Sequence, residues 1–71
     1  MNIHKEDNMD IHKIKQKIIS IAREERVITT SEIAEHFGIS WNTAEKYLLE
    51  LTIDGKIIRK KKQGVNLWLP A

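Results

Sequence analysis

Three residues, Gly38, Ile39 and Ser40, separate two stretches that each carry helical periodicity, and no other interval restricts the fold as much. Glycine is the residue best able to take the left-handed conformation that stops a helix, and serine is a favoured N-cap. One helix must therefore end and the next begin almost at once, which leaves room only for a tight corner between two packed helices. The first of the pair also announces its start. In Thr29-Thr30-Ser31-Glu32, the Thr29 hydroxyl can accept from the Glu32 amide while the Glu32 carboxylate accepts from that of Thr29, and Ile28 and Ile33 are spaced as a hydrophobic staple. The pattern predicts a helix from about Thr30 to Phe37 with Ile33, Ala34 and Phe37 inward and Ile39 plugging the corner. The second helix runs from Trp41 to about Asp54, where Gly55 ends it, and buries Ala44, Tyr47, Leu48 and Leu51. Its opposite face carries Asn42, Lys46, Leu49 and Ile53.

The flanking segments complete the architecture. Ile11, Ile14, Ile18, Ile21 and Ala22 recur at helical spacing and predict a helix to about Glu25, with Asp10 as N-cap and Met9 and Ile14 as a staple. Val27-Ile28-Thr29 is β-branched and long enough for one extended rung. Beyond Gly55, residues Ile57 to Lys61 and Val65 to Leu69 read as two strands, joined by a three-residue hairpin loop Lys62-Gln63-Gly64 with Gly64 at positive φ. Counting across that loop places Trp68 in the core on the same hairpin face as Ile58. The expected class is α+β, mainly α: three helices, a short strand and a C-terminal two-stranded hairpin in one domain over residues 10–71. Residues 1–9 are polar and aperiodic and read as a mobile tail.

Composition removes several classes of function. Seventy-one residues suffice for one small core, and the absence of cysteine excludes disulfides, thiolate metal sites and thiol nucleophiles. No apolar run approaches the ~20 residues that cross a bilayer, and the N-terminus lacks a signal-peptide pattern, so a cytoplasmic protein without membrane contact is expected. His4, His12 and His36 have neither the spacing nor the carboxylate company of a metal site. With no nucleophile–base pair, phosphate loop or metal cluster, the chain is not expected to be an enzyme, and no cofactor or small-molecule ligand is evident. Charge is unevenly spread. Residues 1–55 hold seven Lys/Arg and ten Asp/Glu, a balance of −3, whereas KIIRKKKQ over 56–63 holds five Lys/Arg and no acid, a balance of +5. Such a block suits either a solvated surface or a polyanion.

The stretch ITTSEIAEHFGISWNTAEKYLLELTIDGKIIRK resembles the winged helix-turn-helix family of bacterial and archaeal DNA-binding proteins. The resemblance rests on the Thr29 cap, Ile33-Ala34, Gly38-Ile39-Ser40, Leu48 with Leu51, and Gly55 before Ile57, and it extends over about residues 10–69. It implies double-stranded DNA as partner and a role in transcription regulation, with the third helix in the major groove and the hairpin wing on phosphates or a minor groove. The candidate residues on that helix are Ser40, Trp41, Asn42, Thr43 and Lys46, and those on the wing are Arg59, Lys60, Lys61, Lys62 and Gln63. The third helix offers no arginine, and Glu45 and Glu50 add negative charge, so recognition by shape or backbone stands beside base readout.

Some residues admit two readings. Trp41 can stack on nucleic acid or fold over the second helix or the wing. Leu49 and Ile53 can be covered by the wing, in the case of Ile53, or contribute to a homodimer or partner surface, as can Ile19. The alternative function is a protein-interaction module within a replication, transcription or sorting complex.

Overall fold

The computed structural model describes residues 10–71. The expected tail over residues 1–9, together with Met9 as half of the first staple, lies outside the described residues. The chain forms α1 (Ile11–Glu25), β1 (Ile28–Thr29), α2 (Thr30–Phe37), α3 (Trp41–Ile53), β2 (Ile57–Lys62) and β3 (Val65–Pro70). The described residues form a mainly helical α+β arrangement with three helices and one three-stranded antiparallel sheet.

Each boundary has a local cause. The Asp10 side chain accepts from the Lys13 amide at 2.8 Å, filling one of the donors left free at the start of α1. At the start of α2 both halves of the capping box form: the Glu32 amide donates to Thr29 Oγ1 at 3.2 Å and the Thr29 amide to Glu32 Oε1 at 2.9 Å. Gly38 sits at φ 65. The amides of Gly38 and Ile39 donate back to the carbonyls of Glu35 and Ala34, closing α2 as a Schellman pair and turning Ile39 against the core. Ser40 caps α3, and a second Schellman pair ends it through Gly55 and Lys56.

The core follows the predicted helical stripes except at Ile11, the first residue of α1, which is 50% exposed. Ile14, Ile18 and Ala22 of α1 meet Ile33 of α2 and Ala44, Tyr47, Leu48 and Leu51 of α3, while Ala34, Phe37, Ile39 and Leu49 pack around them. Ile28, Ile57 and Trp68 form the sheet's share, and Trp68 has no exposed surface.

The sheet order is β1-β3-β2, with Ile28 opposite Trp68 and Arg59 opposite Trp68 on the other side. The hairpin departs from expectation by one residue. Lys62 pairs with Val65, so the loop is the two-residue Gln63-Gly64, with φ 51 and 79 as a type I′ turn requires. Because side chains alternate along a strand, this shift moves Ile58 to the other face. Trp68 is in the core as expected, but its companion is Ile57; Ile58 is 52% exposed on the outer face. Nor does the hairpin cover Ile53, which is 82% exposed. Leu49, by contrast, packs against the core and is not a free surface.

Candidate nucleic-acid interface

The tight corner presents the first turn of α3 to solvent. Ser40 Oγ accepts from the Thr43 amide at 3.1 Å and donates to Thr43 Oγ1 at 2.9 Å, so these two candidate hydroxyls are joined in the cap. Beyond them Asn42 and Lys46 are placed one turn apart, and Trp41 is 50% exposed. Trp41 and Glu45 occupy the neighbouring strip of α3. With Thr29, Thr30 and Ser31 at the start of α2 and Lys61, Gly64, Val65 and Asn66 of the hairpin, they border an open groove of about 490 Å³. Trp41 is thus a half-open wall between α2 and the hairpin.

The floor of this groove is polar and connected. Trp68 Nε1 donates to Thr30 Oγ1 at 3.0 Å, and Thr30 Oγ1 donates to Glu45 Oε1 at 2.6 Å. Asn66 Nδ2 donates to the other carboxylate oxygen of Glu45 at 2.9 Å. Thr30 is 3% exposed, so its one hydroxyl both accepts and donates inside the protein, as a buried polar group must. Asn66 Oδ1 is buried and has no partner among the described residues.

The acids on α3 are therefore engaged within the fold. Glu45 bridges three elements, and Glu50 forms an ion pair with Lys15 of α1 at 2.7 Å. The hydrogen bond from Lys15 holds the Glu50 carboxyl below its ordinary value. Sequence reasoning missed both roles, because the partners of Glu45 lie 15 and 21 residues away along the chain and no local spacing marks them. Glu24, Glu25 and Glu32 border a different groove, between α1 and α2.

The hairpin concentrates the opposite charge. Lys56, Arg59, Lys60, Lys61 and Lys62 are all exposed, and no carboxylate among the described residues lies within ion-pair distance of any of them. Strand alternation divides the set. Arg59 and Lys61 share a face with Ile57, and Lys61 reaches the groove beside Trp41; Lys60 and Lys62 point to the outer face with Ile58. Gln63 is exposed at the tip. The structure thus brings Trp41 and Lys61 together, keeps Asn42, Thr43 and Lys46 beside them on α3, and sets Lys60 and Lys62 on the far side of the hairpin.

Among the described residues no group of His, Cys, Asp and Glu is placed to hold a metal ion, and no helix is long and apolar enough to cross a membrane. No curated protein matches the chain. A family model described as "bacterial protein of unknown function (DUF977)" matches residues 4–67, nearly the full length, and the chain therefore belongs to the DUF977 family.

Proposed function

We propose that this chain is a winged helix-turn-helix domain that binds double-stranded DNA, with α3 entering the major groove and the β2–β3 hairpin as a basic wing, and that it serves as a small transcription regulator without catalysis of its own. The observation that carries this reading is the basic segment over residues 56–62: five exposed cations with no carboxylate within ion-pair distance among the described residues, of which Lys61 borders the groove beside Trp41 in the solvent-facing first turn of α3. Neutralising phosphates with such cations releases condensed counterions, a driving force that needs no base contact. The element order and the β1-β3-β2 sheet also support it.

On α3, Asn42 has the chemistry to pair with adenine and Lys46 to reach a phosphate or guanine, while Trp41 offers an apolar surface to sugar or a thymine methyl. The pairing of Glu45 with Thr30 and Asn66 and of Glu50 with Lys15 supports this face further, since both carboxylates are held by partners within the chain. Titration of a fluorescent random duplex at two salt concentrations tests the proposal. The expected result is measurable affinity at low salt that falls steeply as salt is added. Absence of duplex affinity at low salt overturns it and makes Ile53, 82% exposed, the first residue to mutate in a protein-interaction role.

A further inference from the structure

We infer that Glu45 is a positioning residue for DNA binding: its carboxylate clamps the hairpin to α3 and so fixes the spacing between the wing cations and the recognition turn. The inference rests on the DNA-binding reading. One oxygen of Glu45 holds Thr30 at 2.6 Å and the other holds Asn66 at 2.9 Å, so a single side chain on α3 is bonded at once to α2 and to β3. The link continues inward, because Thr30 also accepts the indole N–H of fully buried Trp68. Three of the candidate contacts lie one step from this network. Trp41 and Asn42 lie one turn before Glu45 on α3, and Lys61 is the cross-strand partner of Asn66.

The clamp also sets the orientation of its partner. Because both Glu45 oxygens act as acceptors, Asn66 turns its amide N–H₂ toward Oε2, and its own oxygen is buried with no donor among the described residues. An asparagine held in this way prevents the start of β3 from moving independently of α3. For a protein reading DNA with two separate elements, that fixed spacing sets whether α3 and the hairpin meet their phosphates together.

A residue on the DNA-facing helix that bears negative charge has an opposite expected effect if it merely repels phosphates, and two substitutions separate the roles. Glu45→Gln keeps an oxygen for Thr30 and presents an N–H₂ to Asn66, whose amide can turn over and accept. This variant is expected to keep the parent's salt slope and to bind duplex more tightly, because one negative charge is gone. Glu45→Ala removes the clamp and is expected to bind more weakly: for each phosphate that the wing no longer neutralises, affinity falls about eightfold at 0.1 M salt and the slope drops by about 0.9. Tighter binding by both variants, or parent-like binding by Glu45→Ala, overturns the inference. If Glu45→Ala does not fold, Asn66→Ala retains the Trp68–Thr30–Glu45 chain and is expected to show the same weakening; an unchanged slope there overturns the inference equally. Amide hydrogen exchange gives a readout independent of DNA. Hairpin amides should lose protection relative to α1 in Glu45→Ala and keep it in Glu45→Gln, and equal protection in both refutes the clamp even if the parent binds no duplex. A parent without duplex affinity whose hairpin loosens in Glu45→Ala alone refutes the DNA-binding reading while leaving the clamp itself intact.

Discussion

Replacement of Lys60, Lys61 and Lys62 by alanine is the perturbation on which the DNA-binding reading depends most directly. All three side chains are exposed and none has a carboxylate within ion-pair distance among the described residues, so the substitutions should change fold stability by no more than about 0.5 kcal/mol each. Their effect on binding is of another size. Each phosphate left without its lysine lowers the slope of log K against log salt by about 0.9, so the slope of the triple variant can fall by up to about 2.7. The hairpin geometry refines this ceiling. Lys61 shares the groove with Trp41, whereas Lys60 and Lys62 leave the opposite face, so a strand lying along the groove engages Lys61 and a strand beyond the tip engages the other two. Lys61→Ala alone should then lower the slope by about 0.9, and the Lys60→Ala, Lys62→Ala pair by about 1.8 if the outer face is used. Fluorescence anisotropy on a random duplex from about 50 to 200 mM salt resolves these differences. Bonds to phosphate carry no direct base information, so the weakening should be equal for every duplex, whereas Asn42→Ala should lower only the ratio of specific to random affinity. A folded triple variant with the parent's affinity and slope would refute the reasoning.

Three further outcomes concern the fold. Leu48 has no exposed surface and lies at the junction of α3 with the core, so Leu48→Ala should cost about 2 to 5 kcal/mol and lower Tm sharply in a thermal melt; an unchanged midpoint contradicts the packing. Gln63 holds φ 51 in a turn that favours Asn-Gly, so Gln63→Asn should raise stability by about 0.5 kcal/mol in a urea titration. The lowered pKa of Glu50 makes its pairing with Lys15 a contribution present above the ordinary glutamate value and lost as pH falls through the folded-state value. Glu50→Gln should therefore flatten the acid side of the stability–pH curve, and an unchanged curve would show the pair to be inert.

The features legible in the sequence were those with short-range causes. Thr29 and Glu32 cap α2 through neighbours three residues apart, Gly38 stops it, and the Ala44, Tyr47, Leu48, Leu51 stripe needs only the helical period. The hairpin length was harder. Lys62-Gln63-Gly64 supplies one residue suited to positive φ, which favours a three-residue loop, yet Gln63 also takes positive φ because pairing of β3 with both neighbours fixes its register. From that single residue follow the face of Ile58 and the division of the lysines. The candidate site was legible as residue types: Trp41, Asn42 and Lys46 at the start of one helix, and a run of cations on a hairpin. What was not legible was the fate of the acids, since Glu45 meets Thr30 and Asn66 only after three elements have packed.

The sheet order also bears on how the chain reaches its native state. β3 comes last in the sequence but occupies the centre, with β1 pairing to it across nearly forty residues and β2 through a hairpin. Helices and hairpin can form from local interactions, but closure of β1 onto β3 must overcome a loop entropy set by everything between them. Trp68 stands at that junction, opposite Ile28 and donating to Thr30, so any N-terminal fragment that stops short of it lacks the largest side chain of the core. The half-exposed Trp41 and fully buried Trp68 therefore offer two fluorophores with different timing: one senses the surface of α3, and the other becomes shielded only when β3 has met β1 and the start of α2.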